Sequence, residues 1–449
     1  MIKDIIDYLK DKEIIILGFG REGKATYKLI RKYLPEKHLT IGDSNIKIAE
    51  DELVKDDLYV DFILGETYMD TMDEYDLIMK SPGIPFNKID LTNIKDKISS
   101  ELELLLRFYK GKVIGVTGTK GKSTTSSLIY QMIKDQGYKT TFAGNIGLAV
   151  FEVIEDLEDV DYLVLEMGCH QLEFMHYSPN YSIFLNVYEE HLDHYRSYDN
   201  YIEAKCNIFS HQNDTDYYFY NADSKLINEK NKKFETNANR IGITFTDNNK
   251  YPVYIKDNYI YINDKKVYDG NSERKLLGRH NLNNIMFILA LADVLKLDLD
   301  KAIETINSFE SLPHRMELVG TYNGVTYYND SISTIPEACI NAMESIKVNS
   351  LIIGGLDRGI DYSKLIDYLN NSDLTNLICM PTTGEKIGNS ITNKNINVYL
   401  VKDLEEAVKK AKEVTKDKEV CLMSPAAASY NTFKNFEERG NRFKELVRE

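Results

Sequence analysis

Positive charge is what this 449-residue chain is short of: 55 Lys and Arg against 70 Asp and Glu leave a net charge of −15. Nucleic acids and anionic membrane surfaces both call for broad positive fields, so neither is expected as a partner. An anionic ligand must instead be met by a few cations placed inside motifs. Cysteine is scarce as well. The five (Cys169, Cys206, Cys339, Cys379 and Cys421) are odd in number, scattered and without metal-type spacing, which reads as reduced thiols of a cytosol, not a disulfide framework. No apolar run approaches the roughly 20 residues that cross a bilayer. The opening stretch Met1-Ile2-Lys3-Asp4 is acidic and amphipathic, unlike a secretory leader, so a cytoplasmic location is expected. Repeats, low-complexity tracts and long linkers are also missing.

What is there is an ordinary globular composition, 43% hydrophobic and 28% charged, in a chain long enough for about three domains. Its most informative stretch starts with an apolar β-branched run, Val113 to Val116, leading into the Gly-rich turn Thr117–Gly121. A helical pattern follows from about Ser123 until Gly137 stops it. Strand, glycine loop, Lys-Ser and helix is how proteins cradle nucleotide phosphates. Backbone N–H groups and a helix N-terminus face the anion, the lysine reaches the terminal phosphates and the hydroxyl ligates Mg²⁺. The strict pattern wants Gly at position 116, where this chain has Val. The match is therefore to the variant running through Gly118, Thr119, Lys120, Gly121, Lys122, Ser123 and Thr124. It predicts a bound nucleoside triphosphate.

Nearer the start, the buried-strand run Glu13–Leu17 precedes Gly18-Phe19-Gly20-Arg21-Glu22-Gly23, a helix and a second strand ending in Asp43. That order is the dinucleotide-binding fingerprint, and alone it would predict NAD. Only short strand signals fit between there and residue 112, however, so a small nucleotide-binding module without NAD is expected. Further candidate strands fall at 112–117, 139–143, 162–166, 182–186, 217–221 and 240–244, followed by a meander of short strands over 246–275. Strands then recur at 316–321, 325–329, 351–355, 377–380, 398–400 and 419–424. The expected fold is three-domain α/β: a Rossmann-like module over 1–108, a central parallel sheet of phosphate-loop ATPase type with a small β meander over 109–311, and a second Rossmann-like sheet over 312–449.

Open α/β sheets place ligands at strand ends. Glu166 ends one candidate strand, and Glu189-Glu190-His191-Leu192-Asp193-His194 follows another. Glu166 and His191, expected at neighbouring strand ends, could hold Mg²⁺ beside the phosphates; a solvated acid and an ordinary histidine are the plainer readings. The acidic run could suggest zinc, but no suitably spaced His pair on a helix supports it. By spacing alone Lys205 is a surface lysine, Asn145 a turn residue, and His314-Arg315 either a hinge or an exposed linker pair.

Taken in order, these motifs resemble those of the Mur ligases, ATP-dependent enzymes that form amide bonds in peptidoglycan precursor synthesis. The resemblance covers nearly the whole chain. It runs from Gly18–Gly23, Ser81-Pro82-Gly83 and Thr117–Thr124 through Gly144–Gly147, Glu166 with Gln171-Leu172-Glu173, and Asn186 with His191 and Asp193. It continues at Lys205, Asn221-Ala222-Asp223, His280–Asn284, Leu312–Arg315, Asn329-Asp330-Ser331, Gly354-Gly355 and Ser424–Ser429, and the closing run Phe433–Gly440 is typical of the glutamate-adding members.

The resemblance implies roles. Gly20, Arg21, Glu22, Asp43, Ser81, Pro82, Gly83 and Asn145 would meet a UDP-linked substrate, UDP-N-acetylmuramoyl-L-alanine. Lys122 and Ser123, with Asn281, Asn284, Arg315 and Asp330, would take ATP. Glu166, His191 and a carbamylated Lys205 would ligate magnesium, in two ions. Thr334, Arg358, Ser429 and Phe436 would surround the incoming glutamate, D-glutamate by this resemblance. The expected partners are small molecules only, and the expected state is a monomer. Ile332 stands where the D-glutamate-adding type carries Lys, and Gly168 where many members carry Ser. Arg358 offers a bidentate grip on a carboxylate in the lysine's place. The segment Asn329–Thr334 also resembles ligases that add L-glutamate, so that enantiomer stays open. A folate-polyglutamate ligase lacks the first nucleotide module, and a non-catalytic nucleotide binder would have no need of Lys122, Glu166, His191 and Lys205 together.

Overall fold

The computed structural model describes residues 1–146, 148–191, 194–430 and 432–449. Gly147 and Asp193, both part of the motif set above, lie outside the described residues. The chain forms two compact units, one of Met1–Ser272 with Asn283–Ile306, the other of Glu273–Leu282 with Asn307–Glu449. Among the described residues no helix is long and apolar enough to cross a membrane.

The first unit holds two sheets. Strands β1 (Ile14–Leu17), β2 (Leu39–Asp43), β3 (Val60–Leu64), β4 (Leu77–Lys80) and β5 (Ile98–Ser99) pair in the order β3-β2-β1-β4-β5, and every pairing is parallel. All four residues of β1 are buried, which is why it reads as a continuous apolar run: a central parallel strand has no wet face.

The second sheet is built from β6 (Lys112–Thr117), β7 (Thr140–Gly144), β8 (Tyr162–Glu166), β9 (Tyr181–Phe184), β10 (Tyr217–Asn221), β11 (Asn239–Thr244), β12 (Val253–Lys256), β13 (Tyr259–Ile262) and β14 (Lys265–Asp269). Their order is β14-β13-β12-β11-β10-β9-β6-β8-β7. The last three strands form the expected meander. Asp257-Asn258 and Asn263-Asp264 turn its corners at positive φ, a backbone that Asn and Asp tolerate best after Gly. The strand that feeds the phosphate loop, β6, lies between β8 and β9, the switch point where such sheets open a crevice at their carboxyl ends. One expectation changes here. Glu166 ends β8 and His191 lies in the loop after β9, strands that are not neighbours because β6 runs between them.

The second unit carries β15 (Glu317–Tyr322), β16 (Val325–Asn329), β17 (Ser350–Ile353), β18 (Asn376–Cys379), β19 (Asn397–Leu400) and β20 (Val420–Met423), ordered β15-β16-β20-β17-β18-β19. Only the β15 edge pairs antiparallel. Arg439, in the final helix Phe436–Arg448, is 1% exposed and lies beneath the carboxyl edge of this sheet. Its guanidinium donates to the Ser331 hydroxyl at 3.0 Å and to the carbonyls of Ser331 and Ala427 at 2.8 and 3.1 Å. Removing a buried donor strands its acceptors at about 1–3 kcal/mol each. Arg439→Met is therefore expected to lower the stability of the second unit by about 3 kcal/mol in urea unfolding; a loss under about 1 kcal/mol would contradict this role.

Candidate functional site

The phosphate loop is held from three directions. Asn186, just past β9, accepts at Oδ1 from the backbone N–H groups of Thr119 and Lys120 at 3.1 and 2.9 Å, and its Nδ2 donates to the Lys120 carbonyl at 3.0 Å. The hydroxyls of Thr119 and Tyr201 lie 2.8 Å apart. Lys120 pairs with Glu190 at 2.6 Å. Gly121 caps the helix Lys122–Asp135 at φ +85°, and a Cβ there would stand 2.8 Å from Asn284 Oδ1, so position 121 needs glycine both for conformation and for room. Ser123, in the first turn, is 4% exposed.

Two lysines meet inside this loop. Lys122 Nζ donates to the carbonyls of Gly118 and Thr119 at 2.9 and 3.1 Å, and Lys205 Nζ donates to the same Gly118 carbonyl at 2.9 Å. Lys205 belongs to the helix Tyr198–Cys206 and is 1% exposed, which overturns the surface reading that spacing alone gave. Its ammonium lies 4.9 Å from the ring of Tyr201, one turn earlier, so a single helical face docks both residues on the loop. Burial, with Lys122 adding like charge, pushes the Lys205 amine down to about 7. Burial also depresses Lys122, against the pull of Glu166.

Glu166 is 1% exposed. Its Oε1 accepts from Asn145 Nδ2 at 2.7 Å, while the buried Oε2 has no partner among the described residues. A buried carboxylate oxygen left so is costly unless a cation completes it. Hard oxygen donors of this kind, with the Ser123 hydroxyl and phosphate, fit Mg²⁺. Lys205 as an ammonium has no lone pair and could join them only once deprotonated or carbamylated. His191, at φ +60°, has a half-exposed side chain whose Nε2 is 3.9 Å from Glu190 Oε2.

Around the first glycine loop, Asp43 holds the loop itself: it accepts from the backbone N–H of Phe19 and of Asn45, each at 2.8 Å. The Ser81 hydroxyl donates to the Gly18 carbonyl at 2.7 Å. Gly20 and Gly83 face open space. Arg21 and Glu22 turn toward the second sheet, where Arg21 donates to the carbonyls of Gly144 and Asn145 at 3.0 and 3.3 Å and Glu22 accepts from Gln171 at 2.7 Å. The carboxyl ends of the two sheets in this unit are thereby tied together.

In the second unit, Asp330 directly follows β16 and is 4% exposed. It accepts from the Ser424 hydroxyl at 2.8 Å and the Met316 N–H at 3.2 Å, and burial, outweighing these bonds, raises its carboxyl to about 6. Arg315 sits at the turn before β15. Arg358 donates to the Thr334 carbonyl at 3.1 Å. Ser429 is 2% exposed, and the Phe436 carbonyl accepts from the Ser331 hydroxyl at 2.8 Å. Asn281, 7% exposed, donates to the Leu277 carbonyl at 2.6 Å. These residues gather near the carboxyl edge of the third sheet, except Asn281, which stands at the start of the helix Arg279–Val294 one turn before Asn284.

Sequence reasoning missed Tyr201, Arg439, and a row of buried polar groups behind His191. The His170 and His194 rings stack with centroids 3.9 Å apart, His194 Nε2 is 3.1 Å from Glu173 Oε2, and Lys80 Nζ is 3.4 Å from the same carboxylate. Burial, then His194 and His191, push His170 down to about 3. Only the Gln171-Leu172-Glu173 motif gave any linear signal of this row.

Comparison with known proteins places this geometry. Residues 116–292 match the Mur ligase middle domain, and residues 314–427 the Mur ligase, glutamate ligase domain. The UDP-N-acetylmuramoylalanine--D-glutamate ligase of Clostridioides difficile strain 630 is 34% identical over 98% of this chain and 99% of its own. The chain belongs to the Mur ligase family. It is thus an amide-bond-forming ligase. The same-named protein of Clostridium botulinum strain 657 is 31% identical, over 98% of this chain and 97% of its own. Two solved structures share the Mur ligase fold. UDP-N-acetylmuramate-alanine ligase MurC of Thermotoga maritima has a TM-score of 0.60 at 20% identity, covering 97% of this chain and 99% of its own. MurF ligase of the same organism, in complex with ADP, has 0.59 at 16%, covering 98% and 95%.

Asp330 supplies a pH test. A carboxyl raised from 3.8 to about 6 by folding takes up a proton in that window, so its burial penalty is absent below the unfolded value and grows as pH rises through the folded one. The stability of Asp330→Asn relative to the parent should therefore increase by about 2 kcal/mol between pH 4 and 7. A difference flat with pH in urea unfolding would show that the carboxyl titrates normally.

Proposed function

We propose that this Mur ligase joins D-glutamate to UDP-N-acetylmuramoyl-L-alanine, with ATP converted to ADP and phosphate. The observation that carries the reading is the convergence of the buried Lys205 and the half-buried Lys122 on one carbonyl inside the phosphate loop, beside an unpartnered buried carboxylate oxygen. That concentrates cations where this acidic chain otherwise lacks them. In this proposal the functional domains are 1–108 for the UDP moiety, 109–311 for ATP and 312–449 for the amino acid, in a cytoplasmic monomer.

The chemistry follows from what each substrate lacks. A carboxylate is a poor electrophile. Its oxygen attacks the γ-phosphorus of ATP, the bond to the β-bridging oxygen breaks, and ADP leaves. The resulting acyl phosphate has a good leaving group, and the glutamate amine attacks its carbonyl carbon. The tetrahedral species collapses to the amide as phosphate departs and the nitrogen loses a proton. Lys122, the N–H groups of the loop and the N-terminus of the helix it caps hold the phosphates in line, which is most of what phosphoryl transfer asks of a protein. Lys205, an amine already near 7, suits reaction with CO₂ to give an anionic carbamate. Mg²⁺, held by Ser123 and Glu166, with His191 and the Lys205 carbamate for a second ion, would supply charge neutralisation at the phosphate oxygens. Arg315 and Asp330 are assigned to the nucleotide, and Thr334, Arg358, Ser429 and Phe436 to the incoming glutamate. L-glutamate is the second reading, favoured by Ile332 in place of the lysine.

Phosphate release from ATP, measured with UDP-N-acetylmuramoyl-L-alanine and each glutamate enantiomer separately, is expected to be magnesium-dependent and to require the D form. Turnover with only the L form would reverse the choice of enantiomer, and none with either would remove the assignment. Lys205→Ala should lose most of the activity and regain part of it with added short carboxylic acids that stand in for the carbamate. A mutant at the parental rate without them would refute the carbamate role.

A further inference from the structure

Folding brings three residues with no common linear motif to one place. Cys169 and His170 open a short turn at Cys169–Leu172, directly after β8, and His191 comes from the loop after β9. One ligand atom of each, the Cys169 sulfur and a nitrogen from either imidazole, lies within 4.8 Å of the other two, and among the described residues this is the group so placed. The turn is firmly held. Gln171 Oε1 accepts from the Gly168 N–H at 3.0 Å, and Gln171 Nε2 donates to Glu22 at 2.7 Å. Cys169 is 6% exposed, and the buried Nε2 of His170 has no hydrogen-bond partner among the described residues. The rings of His170 and His191 are 4.7 Å apart, and His194 stacks behind His170 with its own Nε2 on Glu173.

We propose that Cys169, His170 and His191 form a site for a thiophilic divalent ion, Zn²⁺ foremost, beside the phosphate loop. A thiolate with two imidazoles is the donor set of zinc and its neighbours, not of magnesium, which takes oxygen. Three protein ligands leave a fourth tetrahedral position to water or to a substrate oxygen. The remaining cysteines are fully buried and have no such company, which makes the thiol signal assignable. Binding itself does not rest on the proposed reaction. One consequence does: His191 belongs to the magnesium set assigned above, so Zn²⁺ held here would withdraw it and inhibit turnover.

The test is a Co²⁺ titration of the whole reduced protein in magnesium-free buffer, read by absorption. One equivalent is expected to bind with a thiolate-to-cobalt charge-transfer band and intense tetrahedral visible bands, both displaced by Zn²⁺. Cys169→Ser should abolish the charge-transfer band. His170→Phe should weaken binding by more than the roughly 10–100-fold that outer partners of a metal site are worth. Saturating Co²⁺ that gives the parent protein no thiolate band would overturn the site without recourse to any variant, and so would a band that survives in Cys169→Ser. Because the readout is binding, its failure leaves the ligase assignment standing, and failure of the ligase assay leaves this site standing.

Discussion

The ammonium groups of Lys122, half-buried, and Lys205, fully buried, share the Gly118 carbonyl, and that shared acceptor organises the central site. Lys122 and Lys205 both donate to Gly118, inside a loop that backbone N–H groups and a helix N-terminus already make positive. Like charges at such range in a desolvated site lower each other's proton affinity. Burial, with Lys122 adding like charge, takes Lys205 down to about 7; burial lowers Lys122 as well, and Glu166 and Glu190 pull both upward. An amine held near 7 loses its proton far more readily than an ordinary lysine, which is what the proposed reaction with CO₂ requires.

The rest of the first unit serves to keep that arrangement in place. Asn186 ties the loop to the end of β9, Tyr201 ties it to the helix that delivers Lys205, and Asn145 steadies one oxygen of Glu166 while leaving the other for a cation. The links from Arg21 and Glu22 to Gly144 and Gln171 connect the first sheet to the same loops. A ligand meeting the first glycine loop would therefore touch residues only two hydrogen bonds from Glu166. Asp43, which a dinucleotide fold turns toward a ribose, is here engaged with the loop backbone.

Much of the fold was legible because buried parallel strands advertise themselves. Runs such as Ile14–Leu17 and Leu163–Leu165 are apolar throughout, and the strands formed within a residue or two of the expected bounds. β5, two residues long, carries too little pattern to be read. In the site, linear motifs were legible and spatial ones were not. Thr117–Thr124 spelled out the loop, but the order β9-β6-β8 was invisible, so Glu166 and His191 were expected on neighbouring strands when β6 lies between those strands. Lys205 lies in a mostly polar helical stretch, and nothing local says that the helix turns it inward. Cys169, His170 and His191 come from two loops whose approach depends on that same strand order. Arg439 was legible only as one member of the run Phe433–Gly440, with no sign that it holds the loops at the carboxyl edge of the third sheet.

The most direct test is an NMR titration of the lysine side chains, with ¹³C-labelled lysine in CO₂-free buffer. One ε-methylene resonance, absent from Lys205→Met, should titrate with a midpoint of about 7, well below the value of about 10.4 for a free lysine side chain in water. A Lys205 resonance that moves with the exposed lysines would mean that the two ammonium groups do not crowd one another, and the account of the site would fail with it.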